Sequence, residues 1–464
     1  MAHAGGHQWA PGAAPSGNRR AARGKNGEVP DPLRLPALSL VVLIGVAGSG
    51  KSTFAERHFR PAQVVSSDSF RAMVADDERD QTATEAAFEV LHMVVRHRLA
   101  KGVLTVVDAT NVEPAARRPL LALAAEHDVP AVAVVFDLPA GLCARRAAAR
   151  VRRPVGARVI ARQHAHLRAS IPTLAAEGFA AVHVLRSADE VTGAEVALAR
   201  SPVDRRDERG PFDVVGDVHG CHQELAELLG RLGYELERDE AGRAVGAHHP
   251  EGRRVVFVGD LIDRGPDPAG VLRLAMGMVA AGHALAVAGN HEHKLVRALR
   301  GAGAGGRAHV GRNLARTLEL LVAEPAQFQA EVFAFCAGLT GHLVLDGGAL
   351  VVAHAGLKEA YHGRESGRAL AFALFGDTTG ERDEFGLPIR LPWAQSYRGR
   401  AMVLYGHTPA ADHGWVNNTL CLDTGCCFGG SLSALRYPER ELVSVPARRE
   451  YFPDARGLIS PHDR

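Results

Sequence analysis

LVVLIGVAGSGKST, residues 40–53, joins an uninterrupted apolar run to a glycine-rich turn, a lysine and two hydroxyl residues. The turn fits Gly-x-x-x-x-Gly-Lys-Ser and stands between a strand-like and a helix-like segment, as that pattern requires. Its backbone N–H groups can point at phosphates, Lys51 can reach the β- and γ-phosphates, and Ser52 can ligate Mg²⁺. We therefore predict a site for ATP with Mg²⁺. Its members are Gly45, Gly48, Ser49, Gly50, Lys51, Ser52 and Thr53.

Short β-branched runs alternate with longer helical segments from residue 38 to residue 200. Such alternation is typical of a parallel sheet with helices on both faces. The charged, proline-bounded residues 201–211 predict a linker, and a second α/β region follows them. The predicted organisation is a disordered, mildly basic tail (1–36), a first domain (37–200), the linker (201–211), a second domain (212–445) and a C-terminal tail (446–464).

Composition bounds the class of protein. The chain has 464 residues, 46% of them hydrophobic and 23% charged, which fits a globular protein of about three domains. Its net charge of +2 means that any affinity for nucleic acid must come from a local basic patch. Six cysteines without framework spacing indicate a reducing, cytoplasmic setting. No run approaches the roughly 20 apolar residues of a membrane span, so no membrane association is predicted.

Acidic residues follow two strand-like runs of the first domain. Asp68, in Ser66-Ser67-Asp68, stands where an open α/β sheet binds its ligands and could accept the proton of an attacking hydroxyl. A helix N-cap is the alternative for this residue. Asp108 and Asn111, in VVDATN, are weaker candidates for phosphate or metal contact, with a capping or turn role as the alternative.

Arginines cluster after residue 144. Arg146 and Arg150 are four residues apart and would share a helix face, and Arg153 lies three residues further on. Together they could close over transferring phosphates as a lid. A solvated helix face is the alternative, because the basic residues of this chain are almost all arginines.

Three motifs in the second domain each close an apolar run: GDVHG (216–220), GDLIDRG (259–265) and GNHE (289–292). Two later histidines also follow apolar runs. Strand ends would thus deliver carboxylate, imidazole and amide donors to one end of a sheet. Such a set suits two divalent ions bridged by Asp260, and we expect Mn²⁺ there. The predicted metal ligands are Asp217, His219, Asp260, Asn290, His354 and His407.

The same motifs offer residues for phosphoester hydrolysis. Arg264 can hold the non-bridging oxygens of a phosphoryl group. His291, oriented by Asp263, can protonate a leaving alkoxide. Asp423, in LDTG, is a weaker candidate for orienting a metal ligand.

The three motifs together resemble those of the calcineurin-like metallophosphoesterase superfamily. Their order after a P-loop, across residues 38–445, resembles the bacterial polynucleotide kinase-phosphatases of RNA repair. The resemblance implies an α/β protein in which a P-loop kinase domain with a parallel sheet precedes an αββα sandwich. It implies an ATP-dependent 5′-OH kinase and a metal-dependent phosphatase for 3′-phosphates and 2′,3′-cyclic phosphates.

The resemblance also implies roles for single residues and partners. Asp68 becomes the general base, and Arg71 binds the acceptor's 3′-phosphate. The lid arginines fall on Arg146, Arg150 and Arg153. RNA ends, or DNA ends, are the implied substrates, and a separate ligase and an RNA 2′-O-methyltransferase are candidate partners.

One feature of that family is missing from the sequence. Its members usually continue into an ATP-dependent RNA ligase, but none of the five lysines lies in Lys-x-Asp-Gly, so this chain cannot form the lysyl-adenylate of such a ligase. Three explanations stay open. The ligase is on another polypeptide, the chain is the N-terminal part of a longer protein, or the protein only heals ends.

Two other functions stay open at this point. The second domain could dephosphorylate phosphoserine or phosphothreonine while the P-loop domain acts as a nucleotide sensor. It could instead hydrolyse dinucleoside polyphosphates, since that branch shares the metal motifs. Asp68 and Arg71 argue against a pure sensor.

Overall fold

The computed structural model describes residues 31–149, 155–303, 311–382, 388–410 and 412–453. Over these residues the chain forms two compact units, the first ending at Ser201 and the second beginning at Pro202. None of the helices within the described ranges combines the length and the apolar character that crossing a membrane requires.

The first unit alternates strands and helices along the chain. Its strands are β1 (Leu33–Pro36), β2 (Leu40–Gly45), β3 (Val64–Ser66), β4 (Thr105–Asp108), β5 (Ala131–Phe136), β6 (Ala181–Leu185) and β7 (Val196–Ala199). Its helices are α1 (Lys51–His58), α2 (Ser67–Ala75), α3 (Thr84–Ala100), α4 (Pro114–Glu126), α5 (Ala140–Ala148), α6 (Ala157–Ser170), α7 (Leu174–Glu177) and α8 (Ala188–Gly193).

A five-stranded parallel sheet in the order β3-β4-β2-β5-β6 forms the centre of the first unit. All six residues of β2 are buried, and hydrophobic clusters lie on both faces of the sheet. This arrangement confirms the predicted parallel α/β fold. The carboxyl ends of β2, β3 and β4 meet at one edge, so the loop after β2 lies close to Asp68 and Asp108.

The N-terminal boundary of the first unit differs from the prediction. The predicted disordered tail includes residues 33–36, yet they form β1 and pair in parallel with β7. The physical reason is the fully buried Leu35, which joins the cluster containing Phe54 and Phe136. A segment of four residues is too short to show periodicity, so it carries no strand signal. The rest of the predicted tail, residues 1–30, lies outside the described residues.

The second unit contains two sheets, two small hairpins and their helices. Its strands are β8 (Phe212–Val215), β9 (Glu235–Arg238), β10 (Ala244–His248), β11 (Arg254–Phe257), β12 (Ala284–Ala286), β13 (His342–Leu345), β14 (Leu350–Ala353), β15 (Thr378–Arg382), β16 (Pro388–Arg390), β17 (Met402–Tyr405), β18 (Trp415–Val416), β19 (Thr419–Cys421), β20 (Asp423–Thr424), β21 (Ser431–Tyr437) and β22 (Glu441–Pro446). Its helices are α9 (His222–Leu232), α10 (Pro268–Ala280), α11 (Asn290–Gly303), α12 (Arg312–Val322), α13 (Ala326–Gly338), α14 (Gly367–Phe375) and α15 (Trp393–Ser396).

The two larger sheets pack face to face between layers of helices. One has the order β12-β11-β8-β21-β20 with β22 paired to β21, and the other has the order β13-β14-β17-β19-β18. Alternation along β8 shows the layering, because Phe212 and Val214 point into the core between the sheets and Val215 faces the cluster that includes α9 and α10. Helices α14 and α15 supply the cluster on the other side. The αββα sandwich is thus confirmed.

The two segments that flank the sandwich form hydrogen bonds with it. In the predicted linker, Val203 accepts a hydrogen bond from the backbone N–H of Val344, and Arg205 donates one to the carbonyl of Val344, both at 2.9 Å. In the predicted C-terminal tail, the hydroxyl of Tyr451 donates to Glu224 Oε1 at 2.7 Å. Both segments are therefore bonded to the sandwich and are not free connectors. Their polar composition does not reveal this pairing. Residues 454–464 lie outside the described part.

Candidate active sites

The phosphate-binding loop of the first unit connects β2 to α1. Gly48 has φ +78°, and a Cβ there would lie 2.3 Å from the carbonyl oxygen of Cys143, so only glycine fits this turn. Helix α1 starts after a left-handed Gly50, with neither a side-chain cap nor an acidic residue in its first turn. The N-terminus of α1 therefore presents backbone N–H groups and the positive end of its dipole to an anion.

The ammonium group of Lys51 lies at this loop. The side chain is buried, and Nζ donates to the carbonyl oxygens of Gly45 at 2.9 Å and Val46 at 3.0 Å. The lysine is thus held where phosphate oxygens would enter the loop, which agrees with its predicted position in the motif.

A cavity of about 580 Å³ brings the predicted transfer residues together. Its lining includes Lys51, Ser52, Asp68, Arg71 and Asp108. Arg71 Nη1 lies 2.7 Å from Asp68 Oδ1, and the arginine is only 7% exposed, so the carboxylate has a fixed position on α2. The cavity therefore places a carboxylate and a guanidinium opposite the phosphate-binding lysine.

The other predicted residues of this unit have different surroundings. Arg146 lines a separate cavity of about 360 Å³ together with Gly48, Gly50 and Thr53. Asn111 Nδ2 donates to the carbonyl of Leu43 at 2.9 Å, which ties the loop after β4 to β2. The predicted lid residues Arg150 and Arg153 lie outside the residues that the structure describes.

Sequence reasoning missed one contact to the phosphate-binding loop. Gln163, on α6, accepts a hydrogen bond from the backbone N–H of Ala47 at 3.1 Å and lines the larger cavity. The two residues are 116 positions apart, and an isolated glutamine carries no motif. Only the packing of α6 beside the loop reveals this contact.

The metal motifs of the second unit converge on Asp260. Its Oδ2 lies 3.4 Å from His354 Nε2, 3.5 Å from His219 Nε2 and 3.7 Å from His291 Nε2. Two groups of possible metal ligands share this carboxylate, one with His219 and His291 and one with His354 and His407. Within each group the donor atoms lie within 4.8 Å of one another, so Asp260 has the position of a bridge between two ions.

Asp217 and Asn290 complete the donor set. Asp217 Oδ2 accepts from the backbone N–H of His407 at 3.0 Å, while its buried Oδ1 has no hydrogen-bond partner among the described residues. The side-chain amide of Asn290 lies 3.0 Å from His354 Nε2. A buried, unpaired carboxylate oxygen among imidazole and amide donors fits divalent cations. Such ions, when bound, act as Lewis acids on a phosphoryl group and supply hydroxide at neutral pH.

Burial sets the protonation states of this donor set. It lowers the pKa of His219 and His407 well below the usual range and that of His354 to about 4. Burial also raises the pKa of Asp217, whereas the imidazoles that face Asp260 outweigh its burial and lower its pKa. Neutral imidazoles and an ionised central carboxylate are the forms that bind divalent metals.

The backbone at this centre is strained. His219, Asp260, Asp263, Arg264 and His407 all have φ between +45° and +73°. Each left-handed non-glycine residue costs on the order of 1–3 kcal/mol, and such residues cluster where the surrounding structure fixes a site. The motif loops therefore hold their side chains in orientations that ordinary turns would not give.

Glu292 holds two of these loops together, a role that sequence reasoning did not assign. Its fully buried carboxylate accepts backbone N–H bonds at 2.9 Å from Asp260, Leu261 and Gly289. Burial, reinforced by the charge of Asp260, raises the pKa of Glu292 to about 7. The glutamate thereby joins the GDLIDRG and GNHE motifs.

His291 and Arg264 lie beside the predicted metal ligands. His291 Nδ1 is 2.5 Å from Asp263 Oδ2, and Thr317 Oγ1 donates to Asp263 Oδ1, also at 2.5 Å. Arg264 Nη2 lies 3.4 Å from His291 Nε2, and the ring of Phe428 packs 5.1 Å from the guanidinium. The predicted pair of Asp263 and His291 is therefore formed, with Thr317 as a partner that no motif indicated.

Two further side chains lie at this centre, Arg390 and Asp423, and neither is part of the three metal motifs. Arg390, at the end of β16, places Nη2 2.8 Å from His407 Nε2, and no motif contains it. Asp423 is buried, accepts from the backbone N–H of Gly425 at 3.0 Å, and its charge contributes to the raised pKa of Asp217. The predicted weak candidate thus lies close to a metal ligand.

In comparisons with known proteins, the two units match different family models. An AAA domain model matches residues 40–172, and a calcineurin-like phosphoesterase model matches residues 210–411. The chain is 41% identical over 250 residues to a bis(5′-nucleosyl)-tetraphosphatase PrpE (asymmetrical) of Anoxybacillus flavithermus, covering 52% of this chain and 96% of that protein.

Two further proteins match a similar share of this chain. The protein of the same name from Geobacillus sp. strain WCH70 is 39% identical over 247 residues, covering 52% of this chain and 97% of its own length. A solved structure of a protein serine/threonine phosphatase from Saccharomyces cerevisiae covers 53% of this chain and 82% of its own at 13% identity, with a TM-score of 0.36.

Proposed function

The chain belongs to the calcineurin-like phosphoesterase family through its C-terminal half, and from the residues of its two candidate sites we propose that it is a bifunctional enzyme that heals nucleic-acid ends. The first unit transfers the γ-phosphate of ATP to a 5′-hydroxyl. The second unit removes a 3′-phosphate or a 2′,3′-cyclic phosphate with the help of two divalent metal ions. Mn²⁺ is the proposed metal. RNA is the proposed substrate.

One observation carries the proposal: Lys51, Ser52, Asp68 and Arg71 line one cavity of about 580 Å³. The loop and Lys51 would hold the donor phosphates, Asp68 would accept the proton of the attacking hydroxyl, and Arg71 would bind a phosphate of the acceptor. A unit that only senses a nucleotide needs no carboxylate opposite the phosphates. The cavity therefore supports phosphoryl transfer rather than sensing.

The residues of the second unit support phosphoester hydrolysis by proton transfer and charge stabilisation. His291, oriented through Nδ1 by Asp263, would protonate the leaving oxygen from Nε2. Arg264 and Arg390 lie beside His219 and His407, where their guanidinium groups would bind non-bridging phosphoryl oxygens. These roles do not depend on whether the leaving group is a nucleoside, a nucleotide or a protein side chain.

A second candidate function is hydrolysis of dinucleoside polyphosphates by the second unit. The curated relatives reported above are named as tetraphosphatases of that kind, and they match this chain over nearly their whole length. This candidate assigns the same residues of the metal centre. It leaves the acceptor side of the first unit without a substrate.

The test uses the purified chain with ATP, Mg²⁺ and Mn²⁺ and an RNA oligomer that carries a 5′-hydroxyl and a 3′-phosphate. End healing predicts a phosphate gained at the 5′ end and one lost at the 3′ end, resolved by mass. Asp68→Ala should abolish only the gain, and Asp260→Ala only the loss. A parallel reaction contains diadenosine tetraphosphate instead of RNA.

The outcomes separate the candidates. Rapid cleavage of the tetraphosphate with neither change in the RNA would replace end healing by the second function. Loss of both reactions in each single variant would contradict the assignment of one reaction to each unit.

A further inference from the structure

A basic cavity of about 720 Å³ opens beside His291 and Asp263 in the second unit. Three cationic side chains line it, Lys294, Arg297 and Arg312. The hydrolysis described above uses only His291 and Asp263 from this lining. The proposed hydrolysis assigns no role to the three cations.

Two of these cations extend from the catalytic histidine along one helix face. His291, Lys294 and Arg297 follow one another at intervals of three residues in α11, so their side chains lie in a row. With a rise of 1.5 Å per residue, Lys294 lies about 4.5 Å and Arg297 about 9 Å along the axis from His291. Arg312, the first residue of α12, adds a third positive charge.

The three cations lack the carboxylate partners that neighbouring arginines have. On the adjoining helices, Arg273 pairs with Glu324 at 2.7 Å and Arg316 pairs with Glu319 at 3.2 Å. Among the described residues, no carboxylate oxygen lies within 4.0 Å of the charged groups of Lys294, Arg297 or Arg312. The charges of Asp260, Asp263 and Glu292 act on Lys294, whereas Arg297 and Arg312 have no carboxylate in contact within the described part of the chain. Positive charge that is not compensated in a cavity attracts an anion.

We propose that this cavity binds a second phosphate group of the substrate, adjacent to the phosphate that is hydrolysed. The inference rests on the proposed phosphoesterase function and deepens it, because it requires a substrate with at least two phosphates. The lining also contains Asn313 and Phe452, whose amide and aromatic ring suit a nucleoside next to the bound phosphates. The second phosphate is either the next phosphodiester of a polynucleotide end or the next phosphate of a dinucleoside polyphosphate.

The experiment compares the hydrolysis of three substrates by the intact chain in the presence of Mn²⁺. They are an RNA oligomer with a 3′-phosphate, diadenosine tetraphosphate, and 4-nitrophenyl phosphate, which has only one phosphate. We expect the double variant Arg297→Ala, Arg312→Ala to lower kcat/KM about tenfold for a substrate with a second phosphate, since charge-assisted bonds are lost. Its turnover of 4-nitrophenyl phosphate stays unchanged.

Two control variants make the comparison specific. Arg300→Ala removes an exposed arginine of the same helix that does not line the cavity, so it should leave all three substrates unaffected. The charge-preserving pair Arg297→Lys, Arg312→Lys should recover most of the lost kcat/KM. Thermal unfolding of each variant checks that the fold is retained.

Every outcome decides the proposal. A loss confined to RNA identifies the polynucleotide end as the source of the second phosphate, and a loss confined to the tetraphosphate identifies the dinucleoside polyphosphate. An equal loss for all three substrates, or no loss for any, overturns the cavity proposal alone. If the unaltered chain hydrolyses only 4-nitrophenyl phosphate, the proposed function fails and the cavity proposal with it.

Discussion

A substitution of Thr317 can test how the second unit orients His291, its proposed general acid. The threonine hydroxyl donates to the buried Asp263, which in turn contacts His291 Nδ1. Thr317→Val keeps the shape of the side chain but leaves a carboxylate oxygen without a donor. We expect kcat for the proposed 3′-phosphate hydrolysis to fall about tenfold with KM nearly unchanged, because outer partners of this kind orient a site without touching substrate.

Thr317→Ser is the matched control, since it restores the hydroxyl and should recover most of kcat. The rate of the proposed 5′-kinase reaction in the same sample serves as an internal reference and should not change. Equal losses in the valine and serine variants would show that Thr317 acts through packing and not through its hydrogen bond.

The motif residues show how far single residues can be predicted from sequence. Asp217, His219 and Asp260 stand beside glycines at the ends of apolar runs, and the structure brings them together as that pattern indicates. Thr317 and Gln163 have no such pattern. Their roles arise from helices that pack against a loop far away in sequence, and a lone threonine or glutamine carries no sign of that packing.

The segment after β22 is the element whose role is most testable. Tyr451 donates its hydroxyl to Glu224 Oε1, and the backbone N–H of Arg448 donates to the same oxygen at 3.0 Å. Glu224 is fully buried on α9. Tyr451→Phe removes one donor from this carboxylate, so we expect the free energy of unfolding to fall by about 1–3 kcal/mol.

Urea unfolding can measure this change through tryptophan fluorescence, because Trp393 and Trp415 both lie in the second unit. Glu224→Gln alone and in combination with Tyr451→Phe completes a double-mutant cycle. A coupling energy near zero would mean that the hydrogen bond does not anchor the segment.

Elements with many buried residues could be predicted, whereas short peripheral ones could not. The apolar run of β2 and the strands before the metal motifs have the signals of buried strands, and the predicted fold class is confirmed. The pairing of β1, by contrast, depends on one buried leucine and on backbone hydrogen bonds to β7. Backbone pairing at an edge is set by tertiary neighbours rather than by local composition.

At the scale of the whole molecule, two units with separate cores contain two candidate sites whose residues suit different ligands. Each ligand should stabilise only the unit that binds it, because a ligand adds about 2.7 kcal/mol of stability when its free concentration is 100 times Kd. In calorimetry, we expect a non-hydrolysable ATP analogue with Mg²⁺ to raise one unfolding transition and Mn²⁺ alone to raise the other. For units of this size, the shift should be several degrees.

Variants assign each shift to its site. Lys51→Ala should remove the response to the ATP analogue and keep the response to Mn²⁺, because Lys51 begins α1 and its ammonium contacts the phosphate-binding loop. Asp260→Ala should do the reverse, because both groups of metal ligands share its carboxylate. A response to Mn²⁺ that persists in Asp260→Ala would place the stabilising ion elsewhere. If either ligand raised both transitions equally, the two units would unfold as one cooperative structure, and activities lost in one unit could no longer be attributed to its own residues.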